Sequence, residues 1–236
     1  DKDWQMMLRL RSPGGRIPAA LYLALDALAD QLGNGTMRAT TRQAFQLHGV
    51  RKHNLKAVIG SIVRAMGSTL AACGDINRNV MCPAAPYDKG AYPAARQLAD
   101  DIADTLAPEA AEGAYLDLWV DGELSYRLKP RRAVKQVRER QQQGGVFSGD
   151  ANEPLYGGTY LPRKFKIGIA LPPHNDVDAF AQDLSFVAIE RRGKIVGYDV
   201  IAGGGMGMTH GEPETYPRAG SVLGFCKPEH AVEVAE

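Results

Sequence analysis

The chain has 236 residues, 44% of them hydrophobic, enough to build a core in one large domain or two smaller ones. Lys and Arg number 28 against 27 Asp and Glu, so no bulk charge selects nucleic acid or an anionic membrane, and any positive field has to be local. No apolar run reaches the length needed to span a bilayer, and Cys73, Cys82 and Cys226 are too few and too widely spaced for a disulfide framework, a zinc knuckle or a short-spaced iron–sulfur site.

In chain order, Trp4 to Arg11 reads as a strand with Trp4, Met6 and Leu8 on one face and Arg9 and Arg11 on the other. A turn at Ser12 to Gly15 leads into a helix with Pro18 in its first turn. Leu21, Leu25, Leu28 and Leu32 form its apolar stripe, and Gly33 stops it. Met37 to Gly49 then separates its side chains with a period of two, as one bent strand or two short ones. Its even positions, Arg38, Thr40, Arg42, Ala44, Gln46 and His48, offer two guanidiniums, a hydroxyl, an amide and an imidazole; its odd positions are much more apolar. Such a polar face suits a large polyanion, and it is equally what a half-exposed strand turns to solvent. A second helix from about Asn54, a candidate N-cap, to Met66 is expected to bury Leu55, Val58, Ile59, Ile62 and Met66 and to end at Gly67.

Ala71 to Tyr87 is a structured loop around Asp75, Asn77, Arg78 and Asn79, whose Asn side chains suit turns and caps. A helix from Tyr92 to Leu106 presents Leu98, Ile102 and Leu106, and Tyr115 to Val120 is a strand. Arg127 to Arg140 is the sharpest basic run. It reads as a solvated helix or insertion, with docking of an acidic protein or binding of nucleic acid as functional alternatives. Leu161 to Leu171 is a strand with Phe165, Ile167, Ile169 and Leu171 inward, which sets Lys164 and Lys166 on the opposite face about 6 to 7 Å apart. Asp176 to Asp183 forms a short acidic turn and helix, and Leu184 to Glu190 pairs with Lys194 to Ile201 as a hairpin. Gly203, Gly204 and Gly205 then make either a flexible loop or a backbone that approaches a ligand and offers amides to an anion. Pro228 to Glu236 reads as the first turns of a helix, and both ends of the chain read as cut from a longer one.

Five ordered motifs carry a family resemblance: MLRLRSPGG (Met7 to Gly15), TMRATTRQAFQLHGV (Thr36 to Val50), ACGDINRNVMCPAAPY (Ala72 to Tyr87), TYLPRKFK (Thr159 to Lys166) and VIAGGGMGMTH (Val200 to His210). Together they resemble the N-terminal half of the assimilatory sulfite reductases, more the ferredoxin-dependent branch than the NADPH-linked haemoprotein. The resemblance implies an α+β fold: a ferredoxin-like half-domain over residues 1–70, then a mixed α/β sirohaem-binding domain over residues 71–236, in a truncated fragment. It implies Arg9, Arg78, Lys164 and Lys166 as the cations that bind the substrate anion. Arg38, Thr40, Arg42, Gln46 and His48, with Arg163 and Gly203 to Gly205, are implied as the cradle of the sirohaem carboxylates.

The implied reaction is the six-electron reduction of sulfite to sulfide with ferredoxin as donor, in a bacterial cytoplasm or plastid stroma, with nitrite reduction as the close alternative. In that family the cysteines holding the 4Fe–4S cluster lie in the C-terminal half, and Cys73, Cys82 and Cys226 do not match their motifs, so no metal ligand is assigned here. The fragment is expected to be inactive alone.

Overall fold

A computed structural model describes residues 5–108, 117–120, 123–127, 155–156 and 160–236. Its first unit is a three-stranded antiparallel sheet of β1 (Gln5–Arg9), β2 (Met37–Ala39) and β3 (Phe45–Arg51), with β3 central. Helices α1 (Ala19–Leu32) and α2 (Leu55–Arg64) pack with it. Leu21, Leu25 and Leu28 of the α1 stripe join Leu8, Leu10, Leu47, Val50, Val58 and Ile62 in one buried core, and Leu32 packs at its edge. Leu25 is fully buried, and sealing a side chain of that size from water stabilises by about 1.5–3 kcal/mol.

The α1 stop falls at Gly33, but not through a left-handed cap. Its backbone is extended, and a Cβ there would lie 2.9 Å from the Ala29 carbonyl oxygen and 3.0 Å from that of His48, so the glycine lets helix and strand meet. Helix α2 departs further from expectation. A 3-10 turn, Lys52–Asn54, precedes it, and Asn54 makes no side-chain cap. It ends at Arg64, before Met66 takes a left-handed φ of 63°, and Met66 and Ile59 are exposed rather than buried.

The Met37 to Gly49 stretch is two short strands. Thr40 to Ala44 form a tight turn closed by Thr40 N–H donating to Ala44 O at 2.8 Å, with Gln43 at a φ of 57°. Arg38 stands opposite Gln46 and Ala39 opposite Phe45, so even positions remain on one face across the turn. Arg9 is also opposite Gln46, on the other side of β3. Arg11, expected beside Arg9, leaves the sheet. Its backbone bridges Ser68, and its side chain is buried against α3 (Tyr92–Thr105), donating to the Ala103 carbonyl with Asp104 at 4.0 Å.

The second unit centres on a four-stranded sheet of β6 (Ile167–Ala170), β7 (Leu184–Arg191), β8 (Lys194–Ala202) and β9 (Ser221–Cys226), in that order; β6 and β7 are parallel and the other pairs antiparallel. Strands β4 (Asp117–Val120) and β5 (Glu123–Arg127) form a separate antiparallel pair. The β7–β8 hairpin turns through Arg192 and Gly193, both at positive φ, the geometry that matches strand twist. Leu98, Ile102 and Leu106 meet Ile167, Ile169, Leu171, Phe186 and Tyr198 in the larger core, which is closed by Ala231 of a short terminal helix, α4 (Ala231–Ala235), entered through Pro228.

The long strand expected over Leu161 to Leu171 is regular only at Ile167–Ala170. Phe165, Ile167, Ile169 and Leu171 do face this core, but Gly168 and Ala170 are buried too, so β6 is covered on both faces and the lysines sit just before it. Segment 76–81, expected as a loop, runs parallel beside it: Phe165 N–H donates to Ile76 O, Arg78 N–H to Phe165 O, Met81 N–H to Ile167 O and Ile169 N–H to Met81 O. The acidic segment contributes a 3-10 turn at Ala179–Ala181. Among the described residues no helix is long and apolar enough to cross a membrane. Apart from Arg127 at the end of β5, the basic run lies outside the described residues, as does Trp4.

Candidate substrate and cofactor site

The two units face each other across a cavity of about 490 Å3. Arg9, Thr40, Thr41, Arg42 and Gln46 line it from the first unit, Arg78, Asn79 and Met81 from segment 76–81, and Lys164 and Lys166 from the approach to β6. All four residues expected to bind the substrate anion therefore meet in one place. Register explains the meeting: the hydrogen bond from Arg78 N–H to Phe165 O, 2.7 Å, holds Arg78 beside the lysine segment. Arg9 reaches the same cavity from the opposite sheet. Among the described residues, five cationic side chains line the cavity against one carboxylate, that of Asp178.

Two of these cations are held by the protein before any ligand arrives. Arg78 donates from Nε to Gly74 O at 2.9 Å and from Nη1 to Ala72 O at 3.3 Å. Arg9 approaches Cys73 Sγ from Nη1 at 3.6 Å. Its Nε and Nη2 both reach the Gln46 carboxamide oxygen at 2.8 Å when that amide faces β1, an orientation that also lets the amide nitrogen donate to His48 Nε2 at 3.1 Å. Preset guanidiniums lose less rotamer freedom when an anion binds. Backbone N–H of Lys166 donates to Asp183 Oδ2 at 2.7 Å, fixing the lysine's main chain.

Arg42, expected to hold cofactor carboxylates, lines the cavity but spends most of its guanidinium inside the protein. Nε and Nη2 donate to Asn79 O at 3.2 and 2.6 Å, Nη2 also to Ile167 O at 3.0 Å, and Nη1 to Gln182 Oε1 at 2.7 Å. Burial lowers its pKa to about 10, opposed by Asp183. It is a pillar tying the β2–β3 turn to the second unit, with one Nη1 hydrogen left over.

The glycine loop requires a correction. Gly203, Gly204 and Gly205 N–H groups donate to Asp183 O, Gln182 O and Arg218 O at 2.9, 3.0 and 2.8 Å, so none offers a free amide to an anion. Gly204 is there for close approach: a Cβ would lie 2.3 Å from Phe180 O and 2.5 Å from Gln182 O. Met206 and Gly207, just beyond, line the cavity instead. Arg38, His48 and Arg163 are not among the lining residues. Arg38 extends the cationic sheet face beyond the cavity, with the His48 imidazole on the same face, and Arg163 is exposed beside Lys164.

Sequence reasoning missed the clasp that assembles the site. Asn79, 5% exposed, accepts from Ser12 N–H at 2.8 Å and donates to Ser12 O at 2.8 Å and Arg42 O at 2.7 Å. Gln43 holds the backbone of Cys82 in the same two-sided way, and Gln182 donates to Val177 O while receiving Arg42. These carboxamides serve contacts between distant segments, and no local pattern announces them. Among the described residues no group of three or more His, Cys, Asp or Glu is placed to hold a metal ion.

Both ends of the chain resemble known proteins. Residues 1–64 match the nitrite/sulfite reductase ferredoxin-like half domain, and residues 109–236 match the nitrite and sulphite reductase 4Fe-4S domain. The chain is 55% identical over 227 residues to a sulfite reductase (ferredoxin) of Synechococcus elongatus, covering 95% of this chain and 36% of that protein. It is 48% identical over 236 residues to a sulfite reductase (NADPH) hemoprotein beta-component of Geobacillus kaustophilus, covering 100% of this chain and 38% of that protein. It thus spans little more than a third of the length of these relatives. The solved structure of Mycobacterium tuberculosis NirA protein superposes with a TM-score of 0.57 at 19% identity over 98% of this chain and 32% of that one, a likeness of fold. With family matches over both its units and a fold to accord with them, the chain belongs to the nitrite and sulfite reductase family.

Proposed function

We propose that the chain is the anion-binding part of a ferredoxin-dependent sulfite reductase, which reduces sulfite to sulfide with six electrons. The observation that carries this is the convergence of Arg9, Arg78, Lys164 and Lys166, from three separate segments, on one cavity. A lining of five cations and one carboxylate fits a polycarboxylate macrocycle with a small oxyanion beside it. Arg38 and Thr40, on the even face of the β2–β3 hairpin, would hold sirohaem carboxylates, with Arg163 and the spare Nη1 hydrogen of Arg42 as further contacts, whereas Gln46 and His48 are turned to Arg9 and to each other. When bound, sirohaem supplies the iron through which electrons reach the sulfur.

The chain's own residues divide the remaining work. Arg9 and Arg78 grip the oxyanion with forks already aimed by Gln46 and by the Gly74 and Ala72 carbonyls. Lys164 and Lys166 balance its charge and hand protons to the oxygens that depart as water, a task for an ammonium with three mobile protons. The described residues supply no ligand set for an iron–sulfur cluster, and no step is assigned to one.

The higher identity to the ferredoxin enzyme than to the NADPH haemoprotein supports ferredoxin as donor. Nitrite is the competing substrate within the family. The test is turnover of the full-length protein with reduced ferredoxin and with a chemical reductant, following sulfide and ammonia. A higher kcat/KM for nitrite than for sulfite would overturn the sulfite assignment, and activity with the chemical reductant but not with ferredoxin would overturn the donor.

A further inference from the structure

We propose that Gln46 is the positioning residue for Arg9, and that protonation of His48 decides which way its carboxamide faces. Gln46 is 8% exposed and lies on the central strand, opposite Arg9 of β1 and Arg38 of β2, with His48 two residues along on the same face. A carboxamide has one oxygen and one NH2 group, so it can accept on one side only. With the oxygen toward β1 it takes both Arg9 Nε and Nη2 at 2.8 Å, and its nitrogen donates to His48 Nε2 at 3.1 Å. That arrangement requires a neutral His48 carrying its proton on Nδ1.

Once Nε2 is protonated it needs an acceptor, and the Gln46 oxygen is already at hydrogen-bond distance, 3.1 Å, in the opposite amide orientation. Turning the amide presents NH2 to the Arg9 guanidinium, a donor facing donors, and Arg9 loses the contact that aims its fork. Among the described residues the charged side chains bearing on His48 are Arg38 from β2 and Arg9 from β1. Burial first, and then these two cations, hold its pKa below the usual imidazole range. Gln46 therefore keeps Arg9 aimed at higher pH and releases it as pH falls through the His48 titration.

The role in catalysis rests on the reading of the cavity as a sulfite site; the tautomer does not, and the two are measured separately. In the full-length protein labelled with 15N-histidine, the His48 ring signals, assigned by their loss in His48→Phe, should show a protonated Nδ1 and a bare Nε2 above the titration. In Gln46→Glu the carboxylate accepts from both neighbours, so the ring should remain doubly protonated to a pH about one unit higher. An Nε2-protonated ring in the wild type, or a titration unmoved in Gln46→Glu, overturns the relay.

For turnover per bound sirohaem, Gln46→Leu should raise the KM for sulfite about tenfold with kcat within about twofold, and Gln46→Glu should restore KM. The ratio of wild-type KM to Gln46→Glu KM should rise as pH falls through the His48 titration. An unchanged KM in Gln46→Leu, or a flat ratio, overturns the positioning of Arg9. A full-length protein that reduces no sulfite refutes the functional reading instead and leaves the tautomer result standing.

Discussion

Replacing Arg42 with Met keeps the length of the side chain and deletes its charge and donors. Four hydrogen bonds disappear, to Asn79 O twice, to Ile167 O and to Gln182 Oε1. Hydrogen bonds from a charged group each contribute at least about 1.5 kcal/mol, about 6 kcal/mol in all. Against this stands the cost of burying the guanidinium: the fall from 12.5 to about 10 corresponds to about 3 kcal/mol disfavouring the charged form, a cost the Met variant does not bear. The balance is a loss of about 3 kcal/mol. Urea unfolding should show the midpoint moving down at nearly constant slope, with any loss of sirohaem following from the weakened contact between the two units. A variant within about 1 kcal/mol of wild type that nonetheless fails to bind sirohaem would refute the pillar and return Arg42 to a direct cofactor contact.

Three further outcomes follow from the same geometry. Gly204→Ala places a methyl 2.3 Å from Phe180 O and should destabilise by about 2 kcal/mol or more, whereas Gly205→Ala, with nothing within 4 Å of its Cβ, should stay within about 0.5 kcal/mol in the same unfolding assay. Lys166→Ala should retain the sirohaem absorption of the full-length protein and lose at least about tenfold in sulfite turnover; loss of the cofactor instead would move Lys166 into the cradle. Native thiol titration should modify Cys73, which is exposed, well before Cys82, whose burial pushes its thiol up to about 12 and leaves it un-ionised at neutral pH. Equal rates would mean that the packing around Cys82 opens readily.

Much of the fold was legible because it rests on local periodicity. The stripe of Leu21, Leu25 and Leu28, the Leu98, Ile102 and Leu106 face of α3, and the β7–β8 hairpin through Arg192 and Gly193 follow from spacing alone. Even the two-faced reading of Met37 to Gly49 survived a turn in its middle, because a turn centred on Arg42 pairs even positions with even. What failed was also local in origin. Ile59 and Met66 fit a helical stripe, but Ile59 lies at the solvent edge of α2 and Met66 falls beyond its end at Arg64, so both are exposed.

The sequence by itself determined the two helices of the first unit, the cationic sheet face, and the set of cations that the family motifs single out, since each depends on residues close together in the chain. Only the tertiary structure decided that those cations share one cavity. It also decided that Arg42 turns inward, that the amides of Gly203 to Gly205 are already bonded to carbonyls, and that Asn79 clasps Ser12 and Arg42. The partners of Asn79 lie 67 and 37 residues away, and a hydrogen bond between such segments is specified by the packing of the two units rather than by any local pattern. A side chain's type limits what it can bond to, but which partner it meets is settled only when the whole chain has closed around it.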